Sequence, residues 1–176
     1  MIDDKNKLIM IHIPRTGGTT IEKMSGFRVD QNRPDEHWSA KEIYDRIDID
    51  KWYGYHKFSI IRHPAERMRS VYNWITKPEV DHWAQTELSF IDWLKFIYTE
   101  RPSGNPYKSM CDFLDFDEDI HIYCYETEYQ DIAELYGCKN IPYVTHKTSR
   151  HEITSEERAL IYSVYTKDYE RFGYGV

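Results

Sequence analysis

The apolar positions of this chain fall into short continuous runs that alternate with helical stripes. Leu8-Ile9-Met10-Ile11 carries on to Ile13 and stops at Pro14, which reads as a buried strand. Lys57-Phe58-Ser59-Ile60-Ile61 and Ile120–Tyr125 repeat the pattern. After the first run, Thr20 to Ser25 reads as a short helix ended by Gly26. Ser39-Ala40-Lys41-Glu42 is a capping box, and it opens a helix through Ile43, Tyr44 and Ile47. Pro64 suits a first helical position, and the helix to Thr76 sets Met68, Val71, Tyr72 and Ile75 on one face. Leu88–Tyr98 reads as an apolar helix stopped by Pro102 and Gly104, and Thr127–Tyr136 as a helix closed by Gly137. A second capping box, Thr154-Ser155-Glu156-Glu157, opens a helix through Leu160, Ile161, Val164 and Tyr165, and Asp168 to Gly173 makes a last turn. Residues 27–38, Asp48–Gly54, Pro78–Glu87 and 141–153 lack a period and read as loops. Strand and helix alternate, which predicts an α/β fold: a small parallel sheet flanked by helices on both faces, in a single domain over 1–176.

Charge narrows the classes of partner. The chain has 176 residues with 23 Lys+Arg against 30 Asp+Glu, a formal charge of −7. That balance opposes a general nucleic-acid binder, so a phosphate site has to be built from local basic residues. The three cysteines, Cys111, Cys124 and Cys138, are odd in number and form no C-x-x-C. They read as reduced thiols of a cytoplasmic protein. The polar start of the chain shows no signal peptide, and no apolar run reaches the ~20 residues of a membrane span. The expectation is a soluble protein with no membrane or nucleic-acid partner.

Two segments carry candidate chemistry. In His12-Ile13-Pro14-Arg15-Thr16-Gly17-Gly18-Thr19-Thr20 a strand ends in an Arg/Gly/hydroxyl turn and leaves as a helix. Such a turn suits an anion: glycines let the backbone come close, the helix start presents N–H groups, and Arg15 adds a charged fork of donors. It is not a Walker A loop, which places a lysine after the second glycine; the plain alternative is a tight turn without a ligand. The second segment, Arg62-His63-Pro64-Ala65-Glu66-Arg67-Met68-Arg69-Ser70, puts Arg62 at the carboxyl end of a strand, where open α/β sheets bind ligands. Its plain alternative is a solvated basic helix face. His12 lies in the first strand and reads as a packed core histidine. Asp115, Asp117, Asp119 and Glu126 mimic a calcium loop, but Ile120 stands where that loop needs glycine, so no metal site is expected.

Together the two segments resemble the PAPS-dependent sulfotransferases. "IHIPRTGGTT" is similar to their 5′-phosphosulfate loop, usually H-x-P-K-T-G-[GST]-[ST]-[ST], and "FSIIRHPAERMRSVYNW" to their 3′-phosphate segment, R-[DN]-P-x-x-R-x-x-S-x-Y. His37-Trp38-Ser39-Ala40 and the tail Tyr165 to Tyr174 resemble the compact carbohydrate-type branch. The resemblance implies a P-loop-like α/β fold and the donor 3′-phosphoadenosine 5′-phosphosulfate (PAPS; PAP once desulfated). It implies that Arg15, Thr16, Gly17, Gly18, Thr19 and Thr20 hold the 5′-phosphosulfate and that Arg62 and Ser70 hold the 3′-phosphate. It further implies that Lys147, Ser149 and Arg150 close over the nucleotide and that His37 is the general base. Two positions depart from the pattern: Arg15 replaces the usual lysine, and His63 replaces the usual Asp or Asn.

The chemistry agrees from below. Sulfuryl transfer, like phosphoryl transfer, is an in-line displacement governed by positioning and charge stabilisation. The acceptor hydroxyl needs a base near neutral pH, which suits histidine. No metal is required where backbone donors and basic side chains receive the leaving group. The expected activity is transfer to a hydroxyl acceptor, with a sugar among the candidates. The rivals are a non-catalytic nucleotide- or anion-binding module with the same cradle, and a P-loop phosphotransferase.

Overall fold

The computed structural model describes residues 1–25, 37–77, 86–116, 119–141 and 152–176. The fold is α/β, a four-stranded, mostly parallel sheet flanked by helices. The chain divides into two compact units, Met1–Arg62 with Met110–Thr145, and His63–Ser109 with His146–Val176.

The first unit holds the sheet. β1 (Ile2–Asp3), β2 (Leu8–Ile11), β3 (His56–Ile61) and β4 (His121–Cys124) lie in that order. β1 pairs antiparallel with β2, whereas β2–β3 and β3–β4 are parallel, with Met10 opposite Phe58 and Ile60 opposite Tyr123. Every residue of β2, and all of β3 after His56, is buried, as expected when both faces of a parallel sheet are covered. Leu8, Met10, Phe58, Ile60 and Tyr123 share one face and pack with Ile21 of α1 (Gly18–Met24) and with Ile132 and Ala133 of α7 (Ile132–Leu135). On the other face the buried Lys57 donates to the carbonyl of Trp52 in α3 (Ile49–Gly54) and lies over its ring.

The capping box at Ser39 opens α2 (Ala40–Tyr44), with the hydroxyl accepting from Glu42 N–H and the Glu42 carboxylate from Ser39 N–H. Two local readings need correction here. Asp48–Gly54 is α3 and not a connector, because the Asp48 carboxylate accepts from Asp50 N–H and starts a helix. Thr127–Tyr136 is helical only over α7. Its first half is turn, where Glu128 Oε2 accepts from Cys124 N–H at 2.8 Å and Tyr129 is drawn away to Gly17. Three short elements lie outside the sequence pattern altogether: β1, α6 (Met110–Leu114) and a 3-10 turn over Asn105–Tyr107.

The second unit is helical. α4 (Pro64–Ile75), α5 (Phe90–Glu100) and α8 (Ser155–Phe172) enclose Met68, Val71, Ile75, Trp93, Leu94 and Ile161. α5 begins two residues later than its apolar run suggests, since Ser89 accepts from Asp92 N–H and caps it; Leu88 and Phe96 are left exposed. α8 absorbs the expected last turn as one helix with a kink at Tyr165, and Gly173 closes it at φ 68°. Arg67, 1% exposed, donates to the carbonyls of Lys108 and Pro106. It is therefore a structural arginine. Arg67→Ala strands both acceptors, and chemical denaturation is expected to show a loss of roughly 2–4 kcal/mol. A stability equal to wild type refutes that role.

Candidate active site

The site grows from the carboxyl ends of three adjacent parallel strands. The chain leaves β2 through His12, Ile13 and Pro14, turns at Arg15 and Gly17, and enters α1 at Gly18. The turn is tight because two residues are left-handed, Arg15 at φ 68° and Gly17 at φ 99°. Gly17 has a second reason to be glycine. A Cβ there would lie 2.9 Å from ring carbons of both Tyr125 and Tyr129. Tyr129 also donates its hydroxyl to Gly17 O at 2.8 Å, so the residues just after β4 hold the turn from behind.

Thr16, although buried, spends its hydroxyl on Ile13 O at 2.9 Å. What it can offer a ligand is therefore its amide rather than its side chain. Thr19 is exposed and Thr20 half-buried at the start of α1.

Arg62, at the end of β3, comes to the same turn. Its Nη1 donates to Arg15 O at 3.4 Å, and the guanidinium lies 4.9 Å over the Tyr125 ring. Its Nε is buried without a hydrogen-bond partner, and among the described residues no carboxylate pairs with it. Burial, followed by the charge of Arg62, pushes the Arg15 guanidinium down to about 10. Two like charges lie together at a strand end, and an anion placed between them would lower their repulsion.

His37 stands at the start of the segment leading to α2, with Nδ1 3.1 Å from His12 O. The loop and the base candidate are thus brought together within the first unit. Ser70 belongs to the second unit, where it is buried in α4. Lys147, Ser149 and Arg150 lie outside the described residues, as does most of the 27–38 stretch.

His63 shows why its departure from the usual Asp or Asn is tolerated. Its Nδ1 accepts from Ala65 N–H at 3.2 Å, the bond a capping Asp or Asn side chain makes, and its Nε2 donates to Gly175 O. The histidine caps α4 in its neutral form.

Tyr125 and Tyr129 are site residues that sequence reasoning missed. Nothing local signals them, because both reach the turn from the segment after β4, far along the chain. Among the described residues no cluster of three or more His, Cys, Asp or Glu has metal-site geometry, and no helix is long and apolar enough to cross a membrane.

A family model described as "Sulfotransferase family" matches residues 1–131, a span that includes both the Arg15 turn and the Arg62 segment. The chain belongs to the sulfotransferase family. No curated protein and no solved structure gives a significant match. In this sulfotransferase the matched span ends before α7, so α8 and the tail from Tyr165 to Tyr174 lie beyond it.

Proposed function

We propose that this chain transfers a sulfuryl group from PAPS to a hydroxyl acceptor, acting as one sulfotransferase-like domain over 1–176. When bound, the donor supplies an activated sulfuryl group on a phosphate leaving group. Arg15 and the backbone of Thr16–Thr20 bind its 5′ end, and Arg15 offsets charge that builds on the leaving phosphate. Arg62 and Ser70 take the 3′-phosphate, an assignment drawn from their motif, and Lys147, Ser149 and Arg150 cover the nucleotide. His37 takes the proton of the attacking hydroxyl. A sugar is the first acceptor to test, because the His37 segment and the tail resemble the carbohydrate-type branch. The free thiols of Cys111, Cys124 and Cys138 suit a cytoplasmic setting.

The observation that carries this reading is the Arg15–Arg62 pair. A buried guanidinium nitrogen without an acceptor, next to a cation already pushed down by burial and by its neighbour, is relieved by a dianionic ligand. The residues present fit such a group.

The test is thermal. PAP at about 100 times its dissociation constant should add about 2.7 kcal/mol, a rise of roughly 5–10 °C in Tm for a domain of this size. ATP, lacking the 3′-phosphate, should give a much smaller shift. Arg62→Ala should erase the difference. Equal shifts from ATP and PAP on the wild type overturn the 3′-phosphate assignment.

A further inference from the structure

A chain of three side chains runs behind the Arg15 turn, and two of its members have no part in the reading above. His12 is 3% exposed and Glu22 6% exposed, and His12 Nδ1 lies 2.9 Å from Glu22 Oε1. Burial pushes the Glu22 carboxyl up, but the hydrogen bond and charge of His12, then the charges of the N-terminus and of His37, more than reverse this and hold it below its ordinary value. An ionised carboxylate only accepts, so the hydrogen of this bond is on His12 Nδ1.

The opposite edge of the His12 ring is fixed as well. A Cβ on Gly18 would fall 2.4 Å from His12 Nε2 and 2.2 Å from Cδ2, so the ring occupies the space that only glycine leaves open. His37 then meets His12 twice. The two rings pack edge to face, 4.5 Å between centroids at 68°, and His37 Nδ1 lies 3.1 Å from the His12 carbonyl oxygen. A backbone carbonyl cannot donate. His37 Nδ1 therefore carries the hydrogen, and the lone pair of the neutral ring is on Nε2.

We infer that Glu22 and His12 are positioning residues for His37: the carboxylate locks the His12 residue, whose ring and carbonyl together hold His37 in the Nδ1–H tautomer with Nε2 as the basic atom. This rests on His37 being the base. A packed core histidine satisfied by a neighbouring acid would show the same His12–Glu22 bond. It would not need His37 bonded to the same residue's carbonyl and stacked on its ring, nor a glycine cleared beneath it.

The experiment measures kcat, donor KM and PAP affinity for Glu22→Gln, His12→Ala, His12→Asn and the double variant Glu22→Gln/His12→Ala. It adds nitrogen-resolved NMR of the His37 ring in the PAP-loaded protein. Glu22→Gln and His12→Ala should each lower kcat about 10- to 100-fold, the size of an error of about 1 Å in placing a reacting group, with donor KM and PAP affinity within about twofold. The double variant should be no worse than the worse single one, because both act through one device. His12→Asn, which keeps an N–H near the Nδ1 position for Glu22, should recover most of the loss. In wild type the His37 signals should show Nδ1 protonated and Nε2 unprotonated, and in His12→Ala the two tautomers should mix.

Wild-type kcat in Glu22→Gln, or a His37 tautomer unchanged by both substitutions, overturns the inference. So does a loss of stability and PAP affinity that tracks the loss of kcat. Glu22→Gln keeps the side-chain shape and remains informative should His12→Ala not fold. Failure of the base assignment looks different: His37→Ala is then fully active, whatever the His37 tautomer.

Discussion

A His37→Ala variant should bind PAP as wild type does and turn over about 10²–10⁴-fold more slowly, the usual size of a general-base contribution. The two halves of this expectation have separate causes. In the proposed reading the Arg15 turn and Arg62 bind the donor, and Arg62 contacts Arg15 O and the Tyr125 ring, so losing the His37 imidazole leaves that part untouched. Proton removal is a different matter. An alcohol is a poor nucleophile while it keeps its proton, and bulk water at neutral pH is a weak base. His37 is half-buried and anchored through Nδ1 to His12 O, so its ring is held in a fixed pose rather than sampling solvent. The rate should recover in part with added imidazole, which can enter the space the ring leaves. Near-normal turnover of His37→Ala on its true acceptor removes His37 from the mechanism. Glu36, beside it in the chain, is then the next residue to substitute.

The features that the sequence made legible share one property, that a few neighbouring residues decide them. The two capping boxes, Ser39 with Glu42 and Thr154 with Glu157, are each complete within four positions and form as read. Pro64 opens α4, and the apolar runs at Leu8, Lys57 and Ile120 become the three parallel strands. Where competing local bonds were present, reading failed. Asp48 could cap a helix or end a turn, and Glu128 could extend a helix or bond back to Cys124 N–H, which it does. β1 has two residues, too few for any pattern, and is held by pairing with β2.

The site divides in the same way. Arg15 and Arg62 were legible as a motif pair, and their meeting at one turn follows from β2 and β3 lying side by side. His12 was expected to be buried, and is, but its partner Glu22 sits on α1 with no local rule to connect them. Arg67, counted with the basic residues of its segment, turns out to hold carbonyls of the second unit's own interior. Charge alone did not reveal that difference, because a buried structural arginine and a ligand-binding one are written with the same letter.

Arg15 carries the other large effect, because it stands where the family pattern has lysine. Its backbone is left-handed at φ 68°, a conformation that costs a side-chain-bearing residue roughly 1–2 kcal/mol. Its charge is also held in place against burial and against Arg62. In the proposed reading, donor binding is what offsets both penalties. Although pushed down to about 10, the guanidinium remains charged at neutral pH, and its fork can grip two oxygens of a sulfate or phosphate at once. Arg15→Ala should therefore lower turnover by at least about 10²-fold, comparable to removing one oxyanion donor. Arg15→Lys should stay active, since a compact ammonium can approach the bridging oxygen closely. A wild type that binds PAP without turnover, coupled with transfer restored by Arg15→Lys, identifies the natural protein as a binding module with the same cradle. Full activity in Arg15→Ala refutes the loop assignment, and anion binding at the strand ends then falls to Arg62 alone.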